Sequence, residues 1–329
     1  MKYAFLLLVL LAFIPLLSSL RAADFPEAEI SNRAIRAKFY LPDPDRGYYR
    51  GTRFEWSGII HSLQYEGHEY FGVWFPRYDP KLHDAITGPV EEFRAGEASI
   101  GYAEAKAGET FVRIGVGALR KPDEPAYRVF GTYDIVDPGK WTVKTGRDRI
   151  EFVHTLTHPA GYAYKYTKIV RLEKDRPEMV IEHRLKNTGK LPLETSQYNH
   201  NFFVIDGRPT GPDAVVIFPF EARATRDLGD KALVAGKRLS YLRELQPKGE
   251  SVFTEIEGFG PSSADYDFRI EHRKAGAGVR FTGDQPLSKL VFWSIRTTLC
   301  PEPYVDIRVA PGKETSWKIR YEFYTLPKK

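Results

Sequence analysis

An all-β protein is what this sequence predicts, on three observations. Short β-branched and aromatic segments recur along most of its length. Turn residues bound them at intervals of roughly 8 to 15 residues, the spacing of a sandwich or barrel. Helical periodicity is weak, and no alternation of strand with helix marks an α/β fold.

Taken in order, the chain opens with MKYAFLLLVLLAFIPLLSSLRAAD: Lys2, an apolar run from about Ala4 to Leu17, then small residues. That layout predicts a secretory leader over 1–22, cleaved near Ala22 or Ala23. The run is short of the roughly 20 apolar residues that a span requires, so no stable membrane anchor is expected. No cysteine follows the run to carry a lipid, and Cys300, the single cysteine, has no partner for an internal disulfide. A periplasmic or secreted location follows as an expectation.

The strand candidates begin with GIIHSLQY and TFVRIGVGAL. WTVKTGRDRIEFVHTLTH, YAYKYTKIVRLE and EMVIEHRLKN follow, with TGR, KDRP and NTGK as turns. DAVVIFPF, YDFRIEHR, GVRFTGD, KLVFWSIR, YVDIRVAP and WKIRYEFYTL complete the set. The segment 222–244 is the best candidate for a short helix or a long loop. With no internal repeat, low-complexity tract or linker, residues 23–329 read as one domain.

Composition narrows the function classes. The formal charge of +5 is spread without a basic block, so nothing predicts nucleic-acid binding. There is no phosphate loop, no HExxH, no CxxC and no GxSxG, and the eight histidines are scattered, so neither a cofactor nor a metal is expected. Cys300 reads as a buried apolar residue. Acid and base chemistry by histidine and carboxylates remains.

Two stretches stand out. In TSQYNHNFF, strand period places Tyr198, His200 and Phe202 on one face. A histidine between aromatics is costly to bury unless it is hydrogen-bonded or opens onto a cleft. In LCPEPYVDIRV, Glu302 stands between Pro301 and Pro303, which limit where its carboxylate points. Apolar neighbours favour a raised pKa and a role as a base. The other histidines read blandly: His154 and His158 beside a turn, His183 and His272 on solvent faces, and His61 and His68 at one hairpin.

In this order, NHNFF and then a Cys-x-Glu stretch, a Pro-Gly turn and an aromatic-x-Phe finish resemble the galactose mutarotase-like family, which includes aldose 1-epimerases and hexose-phosphate epimerases. The resemblance runs loosely from Arg53 to Tyr324. It implies a large twisted β-sandwich with a sugar cleft and no cofactor. It implies His200 as the acid on the ring oxygen and Glu302 as the base on the anomeric hydroxyl. Arg53 in GTRFEW, His83 in KLHDAITGP and Asp265 in ADYDF are its candidate substrate-binding residues, beside Tyr198. The loop at 76–93 carries Arg77, Tyr78, His83 and Asp84 and is long enough to hold binding groups.

Three functions follow as expectations: an exported aldose 1-epimerase-like isomerase, a non-catalytic glycan-binding module, or an interaction scaffold. The partner is a mono- or oligosaccharide, with another glycan-processing enzyme as a further expectation. If the pair works from two sides of a sugar, His200 and Glu302 should stand about 5 to 8 Å apart across one cleft.

Overall fold

The computed structural model describes residues 25–327, and the leader expected over 1–22 lies outside them. Strands dominate, with only two 3-10 turns, Ile205–Gly207 and Ser263–Asp265, as helical elements among the described residues. None of the helices described there is long and apolar enough to cross a membrane.

Two antiparallel sheets carry the architecture. The larger has ten strands, in the order Ala232–Ala235, Arg238–Tyr241, Ala214–Ile217, Asp267–His272, Ala277–Gly283, Glu314–Thr325, Glu178–Asn187, Ala163–Leu172, Arg149–Thr157, Lys140–Thr145. The smaller has six: Arg223–Ala224, Val252–Glu257, Lys289–Ile295, Thr298–Val309, Leu193–His200, Val90–Arg94. Alternation in each strand sends one set of side chains inward. Ile181, Phe281 and Tyr321 of the large sheet share one buried core with Phe292, Val305 and Ile307 of the small one. A second cluster, around Phe54, Trp56, Phe202 and Cys300, packs on the outer face of the small sheet. A four-stranded sheet formed by residues 27–69 and a three-stranded sheet over 110–137 flank them.

The segment 222–244 is not helical. Its ALVA and RLSY runs form the strands Ala232–Ala235 and Arg238–Tyr241, joined by a tight turn in which Gly236 takes φ 57°. A two-residue turn with a left-handed glycine favours a hairpin over a helix.

The turn after Glu178–Asn187 does more than reverse the chain, because the next strand, Leu193–His200, belongs to the other sheet. Asn187 staples this crossing, donating from Nδ2 to the carbonyls of Leu191 and Val309 at 2.8 Å each. Gly189 lies so close to the chain at Gly161 and Ala163 that an added Cβ would meet backbone at 2.5 Å.

A polar cluster sits between the sheets. Lys168 of the large sheet meets both Glu55 and Glu91, the latter from the small sheet. His183 Nε2 lies 2.9 Å from Glu91 Oε1, and Asn199 Nδ2 donates to the same oxygen at 3.0 Å. Two carboxylates share one ammonium, so they split. Burial pushes Glu55 up to about 8, while Lys168 and His183 overcome burial at Glu91 and hold it far below the usual carboxylate range. The expectation of solvent-facing histidines is corrected here: His183 and His272 are buried, as are His154 and His158.

Candidate active site

The outer face of the small sheet is set by its register. Tyr198 pairs with Tyr304 on one side and with Glu92 on the other. By the period of two, Tyr198 and His200 then share a face with Tyr304 and Glu302 and with Glu92 and Arg94. Gln197 and Asn199 turn inward, toward Glu91. Regular pairing with Thr298–Val309 stops at Tyr198, so Pro301 lies past the end of that ladder, where its missing N–H is tolerated.

Regular extension of the NHNFF stretch also ends, at His200. Phe202 takes φ 39° and turns the chain, with its backbone N–H donating to Cys300 Sγ at 3.2 Å. The expected continuation of the strand through Phe202 is thus corrected, yet the ring still folds back to stack on His200 at 3.8 Å. Phe54 and Trp293 present their edges to the same imidazole at 5.6 and 5.4 Å. The histidine stands in an aromatic box.

Its open edge meets Glu302. His200 Nε2 lies 3.3 Å from Glu302 Oε1, so the expected separation of 5 to 8 Å is wrong. The reason is register: both side chains project from the same face of adjacent strands, Leu193–His200 and Thr298–Val309, which brings their tips together rather than across a gap. Both residues are nearly enclosed, His200 at 3% and Glu302 at 5% exposure, and His200 Nδ1 finds no hydrogen-bond partner among the described residues. Burial, with Arg53 nearby, holds the imidazole well below its usual pKa. Burial also pushes Glu302 up to about 8, against the opposing pull of Arg53. Each shift disfavours charge, so near neutrality the pair holds one proton, resting on the carboxyl.

Arg53 is fixed from three directions. Its Nε donates to Glu92 at 3.1 Å, Nη1 to Asp84 at 2.7 Å and Nη2 to the Tyr198 hydroxyl at 3.3 Å. Glu92 also accepts from Arg113 at 2.7 Å and from the Tyr198 hydroxyl. Burial would raise the Glu92 carboxyl, but Arg113 and Arg53 hold it below its ordinary value. Arg53 and Asp84 wall a cleft of about 500 Å³ whose floor is Tyr198, His200, Glu302 and Tyr304, while Glu92 and Arg113 support Arg53 from behind. Phe130, 60% exposed, and Phe253 stand on its rim.

The structure therefore brings together His200, Glu302, Arg53 and Tyr198. His83 sits one layer back, with Nε2 3.2 Å from Asp84 and its ring tilted against Phe130. Asp265 is not brought in: it lies in the Ser263–Asp265 turn and accepts from the Gly260 N–H. It is a turn residue, as aspartates in such positions commonly are. Glu92, Arg113 and Trp293 went unnoticed in the sequence. A signal for the first was present, since adjacent Glu91 and Glu92 between apolar Val90 and Phe93 must face opposite sides of a strand, and one must be internal. Among the described residues no three His, Cys, Asp or Glu side chains converge as a metal site.

Solved structures with the same architecture span nearly the whole chain. The Slr1438 protein of Synechocystis sp. PCC 6803 matches with a TM-score of 0.56 at 15% identity, over 92% of this chain and 97% of its own. This chain has the galactose mutarotase-like fold. A galactose mutarotase-like protein of Clostridium acetobutylicum matches with a TM-score of 0.55 at 13% identity, covering 91% of this chain and 95% of its own. A galactose mutarotase related enzyme of Lactobacillus acidophilus gives 0.53 at 12%, over 92% and 99%. No family model matches the sequence, and no curated protein does. The mutarotase-like fold is thus shared at identities where sequence comparison finds nothing, and it fixes architecture rather than activity.

Proposed function

We propose that this protein is an aldose 1-epimerase-like isomerase of a neutral sugar, with Glu302 and His200 as its acid/base pair. The observation that carries the reading is their contact at 3.3 Å on the floor of a cleft with aromatic rims. One member gives a proton to the ring oxygen while the other takes the proton of the anomeric hydroxyl. The bond from C1 to the ring oxygen breaks, leaving a carbonyl at C1 and a hydroxyl on the former ring oxygen. Rotation about C1–C2 and closure, with both protons returned, yields the other anomer. Because burial keeps the resting proton on Glu302, the carboxyl starts as the acid and the imidazole as the base, the reverse of the assignment that the family resemblance implies.

Charge pairing supports a neutral substrate. Arg53 is matched by Asp84 and Glu92, Arg94 by Glu97 and Lys289 by Glu255, which leaves little for a phosphate to hold. Phe130 and Phe253 offer apolar faces on which a sugar ring can stack. Export to the periplasm or outside the cell, through the leader over 1–22, is part of the same proposal. A second reading, a glycan-binding module without catalysis, is favoured by the enclosure of both groups and their contact with each other.

Anomer exchange followed by polarimetry or two-dimensional NMR separates the two. Glu302→Gln should slow exchange by about 10² to 10⁴-fold. His200→Asn should do likewise while keeping sugar affinity within about tenfold. Exchange at the uncatalysed rate in the unaltered protein, with sugar still bound, would leave the binding module.

A further inference from the structure

The cleft does not end at Tyr198 and Tyr304. Two residues further along the same faces stand Ser196 and Asp306, paired in register, and beyond them Glu194 and Arg308. These four line a second, open hollow of about 410 Å³ that shares Arg94 with the first. The two hollows form one lane over adjacent strands, with His200 and Glu302 at its closed end. From His200 to Glu194 it runs roughly 20 Å at the usual strand rise.

The lane passes from an aromatic floor and rim in the first hollow to polar side chains over the second. Ser196 is partly recessed, while Asp306, Arg308 and Glu194 are exposed, so hydroxyl, carboxylate and guanidinium groups alternate along it. Arg94 borders both hollows: Nη2 reaches Glu97 at 2.8 Å, while Nε is buried without a hydrogen-bond partner. The side chains lining the second hollow comprise two cations, Arg94 and Arg308, and two carboxylates, Glu194 and Asp306, with no net charge among them, Arg94 also reaching Glu97 of the first hollow. A row of donors and acceptors with balanced charge matches linked sugar hydroxyls better than a charged substituent.

We propose that the site takes the reducing end of a chain of neutral sugars, with the units behind the first lying over Ser196, Asp306, Glu194 and Arg308. This rests on the sugar-cleft reading above. The first sugar sits against Glu302, and Arg94 is the boundary between it and the next.

Calorimetric titration of the folded protein with glucose, galactose and mannose, each beside its α-1,4- and β-1,4-linked trimer, tests this. At least one trimer should bind tenfold or more tightly than its monomer, a gain of about 1.4 kcal/mol. The double variant Asp306→Ala, Arg308→Ala alters only exposed side chains and should bring that ratio down to about one. A monomer that binds while no trimer binds tighter overturns the lane and leaves the cleft reading standing. A trimer advantage that survives the double variant also overturns the lane. If neither monomers nor trimers bind, the sugar-cleft reading itself falls, and the lane with it.

Discussion

At the scale of single residues, Glu302 is held in conflict with its surroundings, and that has a measurable sign. With a folded pKa near 8 against an ordinary 4.5, the native state binds more protons than the unfolded state between those values. Stability must fall as pH rises through this window, by up to a few kcal/mol from this one group. His200, shifted downward, acts the opposite way, so its contribution is lost as pH falls below about 6.5. Glu55 titrates in the same range as Glu302, so only a difference isolates the site carboxyl. Urea unfolding of the unaltered protein and of Glu302→Gln from pH 5 to 8.5 should show a gap that moves in the variant's favour as pH rises. A pH-independent gap would mean that Glu302 is ionised throughout. The sequence disclosed this residue because its apolar and proline neighbours are adjacent in the chain. It hid Glu92 and Arg113, whose meeting with Arg53 depends on pairings between distant segments. His183 was misjudged from its charged neighbours Glu182 and Arg184, which in a strand point to the opposite face and so imply an inward histidine.

At the scale of elements, Leu193–His200 is gripped from both faces. Its outward tyrosine joins Arg53 and Glu92, and its inward Asn199 joins the Glu91 and Lys168 cluster that ties the two sheets. Replacing Lys168 by Met should cost about 3 to 5 kcal/mol, because Glu91, the carboxylate of the pair that is held ionised, would be left buried without its ammonium. Denaturant midpoints check the size, and adding Glu91→Gln to Lys168→Met should recover part of the loss. Failure to recover would mean that lost packing, not stranded charge, dominates. Most strands were legible because alternation and turn chemistry are local signals. The hairpin within 222–244 was not, since ALVA and RLSY are as compatible with a helix until Gly236 takes its left-handed turn. That Glu178–Asn187 and Leu193–His200 lie in different sheets was equally hidden, because a crossing and a hairpin use the same turn residues.

At the scale of the whole molecule, the sandwich has the galactose mutarotase-like architecture, which strand spacing and two short motifs indicated together. Its order in space differs sharply from its order in sequence. Glu314–Thr325, the last strand of the sequence, lies inside the ten-stranded sheet between Ala277–Gly283 and Glu178–Asn187, so Glu182 pairs with Lys318. A chain stopped at residue 313 should therefore fail to close the sheet. It should be rapidly cut by protease and bind hydrophobic dye, whereas a compact, protease-resistant fragment would show that the sheet closes without its inner strand. Native contacts so distant in sequence are slow to form. The large sheet therefore cannot assemble in the order in which its strands leave a ribosome: Glu178–Asn187 and Ala277–Gly283 must each wait for Glu314–Thr325 to slot between them.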